Sequence, residues 1–259
     1  MMKCQNKNHN YRDGLLDFLL AKVGERVKEF LENLPNTVSK KQIRQERLGS
    51  EGKVAAHVEQ NVQHLLLLRL AEDGAHWEED RTDEKGKPVK LRRLGGLSLL
   101  TSGYAIECIL FSPLFQQTSR FRYLGKQTSE PYAHLIAFAQ RPEIRVLPTE
   151  FRTKGVSAML LGQGLAWVDS KTYQILRMRT DLLEPQPQIG FTEYTTEISY
   201  DEHRFGTRSM SFWLPREVRI TIDFEGRNYR NTHRYSDYKL FSVESFEKRE
   251  PPSNSGVIK

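Results

Sequence analysis

Near the start of the chain, apolar side chains recur every three or four residues. Leu15, Leu16, Leu19, Leu20, Val23, Val27, Phe30, Leu31 and Leu34 are separated by Asp17, Glu25, Arg26, Lys28, Glu29 and Glu32. The spacing predicts an amphipathic helix over 13–33, stopped by Pro35, with its apolar stripe against a core. Beyond it the period changes. Residues 38–48 and 54–70 read as strands around the polar turn 49–53, the second ending in the apolar run 65–68. The charge run 78–93, with Gly86 and Pro88, reads as solvated loop or a ragged edge. Residues 97–111 are mostly apolar up to Ser112-Pro113 and predict a second helix, over the same sheet face as the first. Residues 118–126 and 133–140 read as a hairpin around 127–131. Residues 141–157, with Pro142 and Pro148, read as a long excursion.

From 162 to 246 the alternation is that of long antiparallel strands in one curved sheet with a wet and a dry side. After the turn cluster 169–172, Leu176, Met178, Thr180 and Leu182 fall on one face, and Arg177, Arg179 and Asp181 on the other. Thr192, Tyr194, Thr196, Ile198 and Tyr200 then alternate with Glu193, Glu197 and Asp201. In the last hairpin Val218, Ile220, Ile222 and Phe224 alternate with Glu217, Arg219, Asp223 and Glu225. Gly226-Arg227 fits a two-residue loop with glycine first. That loop would set Phe224 opposite Tyr229, Asp223 opposite Arg230, Ile222 opposite Asn231, Ile220 opposite His233 and Val218 opposite Tyr235. A one-residue slip would bury Asp223 and Arg230 and expose the apolar set, so the register reads as well specified. The pattern describes an α+β fold: one domain over 13–246 built on a large curved antiparallel sheet, with helices on its dry side. Residues 1–12 read as a frayed start and 247–259 as a disordered, Pro- and Ser-containing tail.

Composition narrows the function classes. At 259 residues, 38% hydrophobic and 28% charged, the chain suits a sheet with one wet face. The net charge of +6 is spread among interleaved acids and bases, which favours solubility over a nucleic-acid stripe. Two cysteines, Cys4 and Cys108, are too few for a disulfide framework, and Cys108 reads as a buried structural thiol. No stretch is long and apolar enough to span a bilayer, and the polar start, 1–10, shows no signal peptide.

No nucleophile elbow, Walker loop, dinucleotide fingerprint or metal-ligand spacing occurs, so no cofactor, metal or catalytic residue is assigned. Gly-Gln-Gly at 162–164 reads as a bulge or turn, and Glu193 and Glu197 as solvated carboxylates. The apolar face remains as the candidate site. Leu176, Met178, Val218, Ile220, Ile222 and Phe224 would line it, with Tyr194, Tyr229, His233 and Tyr235 as polar handles. Residue by residue the same set reads as ordinary core, with His233 a neutral core histidine.

Five short motifs carry a resemblance. Glu-Asn-Leu-Pro at 32–35, Phe-Ser-Pro at 111–113, Gly-Leu-Ala-Trp-Val-Asp-x-x-Thr at 164–172, Trp-Leu-Pro-Arg-Glu-Val at 213–218 and Arg-Tyr-Ser-Asp-Tyr-x-x-Phe at 234–241 resemble a group of uncharacterised bacterial envelope proteins. These are similar in turn to the LolA-like superfamily of lipoprotein carriers and lipid-binding lipoproteins. The resemblance spans about 13–246 and implies an unclosed β-barrel with helices as a lid over an apolar cavity. It also implies work in the periplasm on acylated or otherwise hydrophobic partners, and the apolar face with its covering helices points to a non-enzymatic carrier or sensor of lipid-like ligands. The alternative is an envelope scaffold or protein-interaction module with a filled core.

Overall fold

The computed structural model describes residues 3–34, 36–71, 74–90, 92, 94, 106–144, 149–153, 156–206 and 211–240. Helix α1 (Lys3–Asn33) is followed by strands β1 (Thr37–Leu48), β2 (Val54–Ala71) and β3 (Gly74–Thr82). Next come β4 (Ser119–Lys126), β5 (Ala133–Gln140), and the short pair β6 (Thr149–Thr153) and β7 (Val156–Leu160). The remaining strands are β8 (Gly162–Asp169), β9 (Ile175–Leu182), β10 (Phe191–Arg204), β11 (Ser211–Phe224) and β12 (Arg227–Leu240). Ten of them form one sheet in the order β3-β2-β1-β12-β11-β10-β9-β8-β5-β4. Its terminal strands β3 and β4 do not pair with each other, so the sheet is unclosed. The unclosed antiparallel sheet and an N-terminal helix ending at Asn33 are as expected, but the helix begins at Lys3, inside the segment read as a frayed start.

Several expectations need correction. Of the second helix, 97–105 lie outside the described residues, and Ile106–Phe111 form a 3₁₀ turn beside α1. Of the two readings of the charge run, 78–82 takes the edge and not the loop: it is the second half of β3, an edge strand where charged side chains can reach water on the unpaired side. The loop begins at Asp83, whose Oδ1 accepts from the amides of Lys85 and Lys87. The excursion 141–157 holds β6 and the start of β7, a hairpin that runs on to Leu160. Gly162 and Gly164 sit in regular β8 pairing, with no bulge. A Cβ on Gly164 would lie 1.8 Å from the Arg179 carbonyl oxygen, so a close approach, not a turn, requires glycine there.

The last hairpin turns one residue earlier than expected. Phe224 pairs with Arg227, which leaves Glu225-Gly226 as the loop with φ of 52° and 70°. Both positive angles make a type I′ turn, whose twist matches that of the strands. The register therefore moves by two: Ile222 faces Tyr229, Ile220 faces Asn231 and Val218 faces His233. A shift of two keeps every side chain on its expected face. The Asp223–Arg230 pair is lost; Arg230 Nε instead donates to Glu46 Oε2 on β1, 2.6 Å away.

The register sets residues in rows across the dry, concave side. One row runs Ile136, Ala166, Met178, Ile198, Val218 and then His233, Ile43 and Gln60. The next runs Phe138, Gly164, Thr180, Thr196, Ile220 and then Asn231, Gln45 and Val58. Leu19, Val23 and Val27 of α1 join Met178, Ile198, Val218 and Phe111 in one buried cluster. Each fully buried aliphatic side chain there contributes about 1.5–3 kcal/mol. The outer side carries ion pairs instead: Glu197 lies 3.0 Å from Arg177 and 3.7 Å from Arg219, a surface network, as its alternation predicts.

Candidate functional site

The concave face has two chemically different parts. From β5 to β11 it is apolar, apart from Thr180 and Thr196, and α1 packs in the same cluster. Of the expected lining residues, Met178, Val218, Ile220, Ile222, Tyr229 and Tyr235 belong to this buried cluster. Tyr194 and Phe224 pack against it half-buried, each with its ring on Phe191. Tyr194, Ile222 and Tyr229 stand in one row. Leu176 is the exception. The β8–β9 register passes from Trp167–Arg177 to Val168–Ile175, so a bulge skips Leu176 and Ile175 takes the core position.

Within the apolar part, the 3₁₀ turn inserts a carboxyl. Thr180 Oγ1 donates to Glu107 Oε2 at 3.1 Å, and Thr196 stands beside Thr180 in the same row. Burial pushes the Glu107 pKa up to about 7, and the hydrogen bond from Thr180 opposes the rise. The next residue, Cys108, is buried, and burial together with the Glu107 charge raises its thiol to about 12. This is the inert structural thiol expected, since the thiolate is strongly disfavoured.

From β12 to β3 the same face turns polar while staying buried. Lys41 is 1% exposed and His233 0%. Lys41 Nζ and both ring nitrogens of His233 have no hydrogen-bond partner among the described residues. Lys41 lies 4.9 Å over the Tyr235 ring, and His64 meets that ring edge-on at 5.5 Å. His64 Nε2 is 3.2 Å from Glu79 Oε2, which Arg81 also binds at 3.0 Å. Burial lowers the Lys41 pKa to about 7, with Glu79 opposing and Arg81 assisting. His233 is held well below its ordinary value by burial first, then by the charges of Lys41, Arg81 and His64. A desolvated cation–π contact is worth about 2 kcal/mol, against several for burying an unpaired ammonium. Tyr235 alone therefore does not compensate Lys41.

Sequence reasoning found His233 and Tyr235 but missed Lys41, His64, Glu79 and Arg81. The missed residues belong to three strands, and each looked solvated in its own segment. A weak signal existed: Thr37, Ser39, Lys41, Ile43 and Gln45 occupy alternate positions, and all are buried. The strand is polar on both faces, so alternation could not say which face was dry.

On the outer side a groove of about 950 Å³ runs over β1, β2 and β12 beside the Asp83–Glu84 loop. Its rim mixes Lys40, Arg216 and Arg234 with Asp83, Glu84 and Glu217. No His, Cys, Asp and Glu grouping suited to a metal ion occurs among the described residues. No helix among them is long and apolar enough to cross a membrane.

No protein-family model matches the chain, and no curated protein matches it significantly. Among solved structures, the chain is similar to a DUF1329 family protein from Desulfovibrio piger, with 11% identity and a TM-score of 0.45 over 86% of this chain and 92% of that one. It is also similar to a LolA superfamily protein from Nitrosomonas europaea, with 12% identity and a TM-score of 0.43 over 86% of this chain and 94% of that one.

Proposed function

We propose that this protein binds a lipid-like or acylated ligand between α1 and the concave face, as a periplasmic carrier or sensor that catalyses no reaction. The observation that carries the reading is how α1 is attached. It covers apolar rows through apolar side chains, and its hydrogen bonds to the body include Arg26 Nε to Thr172 O at 3.2 Å and Gln116 Nε2 to Leu20 O at 2.8 Å. The first is exposed and the second half-buried, so a cover of this kind can part from the sheet and leave few buried polar groups unpaired. Among the described residues, the cavity beside Val27, Phe30, Cys108, Ile175 and Tyr200 measures about 20 Å³, room for about one water but not for an acyl chain. A ligand therefore needs α1 to lift. Burying about ten methylenes at roughly 0.8 kcal/mol each would give about 8 kcal/mol, in the micromolar range before the cost of lifting.

The outer groove and the small size of that cavity among the described residues favour a second reading, an envelope scaffold with a filled core. The two readings separate in one titration. A fluorescent fatty acid added to the purified chain should saturate at one equivalent, and native mass spectrometry should show the matching adduct. A chain that takes up no amphiphile of any head group or length would leave the scaffold reading standing.

A further inference from the structure

Lys41 stands between two histidines. It faces Tyr235 across β1–β12 and Val62 across β1–β2, which makes His233 and His64 its diagonal neighbours, at about 7–8 Å. Glu79 balances Arg81 and accepts from His64, so the charge left over is that of Lys41. The groups facing it from β1, β2, β3 and β12 are then a cation, an acid already engaged by Arg81 and His64, and His233 with both nitrogens unpartnered. A buried ammonium beside an imidazole free to donate is the complement of an oxyanion. The patch also adjoins the apolar rows: His233 pairs with Val218, and Ile198 and Met178 follow in the same row. Three inter-strand spacings of about 4.8 Å put Met178 roughly 14 Å from His233.

We propose that Lys41 and His233 receive the anionic head group, a carboxylate or a phosphate, of an amphiphile whose chain lies under α1. The proposal rests on the carrier reading above. The anion pairs with Lys41 and accepts from His233, while the chain runs along Val218, Ile198 and Met178. Head-group charge then decides which hydrophobic molecules the protein retains.

The test compares laurate, dodecyl phosphate and dodecanol, which share one chain length, with the full chain, its Lys41→Met variant and its His233→Gln variant, by displacement of a fluorescent amphiphile. Circular dichroism confirms that each variant is folded. Both anionic ligands should bind at least tenfold more tightly than dodecanol. Lys41→Met should abolish that margin, read as the ratio of anionic to dodecanol affinity within each variant. Equal binding of all three by the native chain, or a margin that survives both substitutions, would overturn the head-group site and leave the carrier reading intact. Failure of all three to bind would remove the carrier reading and this proposal with it. Inorganic phosphate separates the sources: displacement by phosphate at the concentrations at which dodecyl phosphate acts would assign the patch to a free anion and overturn the lipid head group.

Discussion

Burial acts in opposite senses on Lys41 and Glu107. The folded pKa of Lys41, about 7, lies below its ordinary 10.5, so between these values the unfolded chain holds the extra proton. Stability from this group is present above about 10.5 and is lost as pH falls through 7. The folded pKa of Glu107, about 7, lies above its ordinary 4.5. Its contribution is full below 4.5 and is lost as pH rises through 7. Glu46 and Asp181, whose pKa values are lowered, act on the acid side of that window. Urea unfolding of the unliganded protein at pH 5, 7 and 9 should therefore find these two contributions jointly least favourable near pH 7. Lys41→Met should flatten the rise towards pH 9, and Glu107→Gln the fall from pH 5 to 7, each leaving the other slope in place. An unaltered slope in either variant would mean that the residue does not titrate between those limits. Neither role was visible in sequence, where Lys41 is one basic residue in a polar strand and Glu107 one acid in an apolar run.

Individual elements were legible where one face is apolar and the other charged. The β4–β5 hairpin and strands β9 to β12 follow directly from alternation, and α1 from its spacing. What alternation does not encode is a local count of residues. The β9 bulge moved the core position from Leu176 to Ile175, and the last hairpin chose its turn on backbone twist. Gly226-Arg227 satisfies a loop with one positive φ, but Glu225-Gly226 supplies two and fits the right-handed strand twist better. Glu225 bears the strain, because a non-glycine side chain is held at φ 52°. Glu225→Asn, which tolerates that region, should stabilise the protein by about 0.5 kcal/mol, read as a raised urea midpoint with unchanged slope. Gly226→Ala, at φ 70°, should destabilise it by at least about 1 kcal/mol. A neutral result for both would argue for the later loop.

At the scale of the whole molecule, the one-sided sheet followed from alternation and its open edge from the family resemblance, whereas the function of its dry side depends on whether α1 moves. Cys108 can report this, because it is buried at the 3₁₀ turn and lines the small cavity with Val27 and Phe30 of α1. Two routes expose it. If α1 lifts as a unit, the opening removes one helix's apolar contacts and leaves the ten-stranded sheet in place; its free energy is then well below that of global unfolding. If α1 is part of a sealed core, Cys108 is reached only when the entire chain unfolds. In a Cys4→Ser background, which leaves Cys108 as the one thiol, labelling by a small disulfide reagent should proceed faster than global unfolding permits. Its rate should be nearly independent of low urea concentrations, because a local opening exposes little surface. A saturating amphiphile shown to bind should change the rate, whereas one that does not bind should leave it alone. Labelling that tracks the urea dependence of global unfolding from the first increment would seal the core and turn attention to the outer groove.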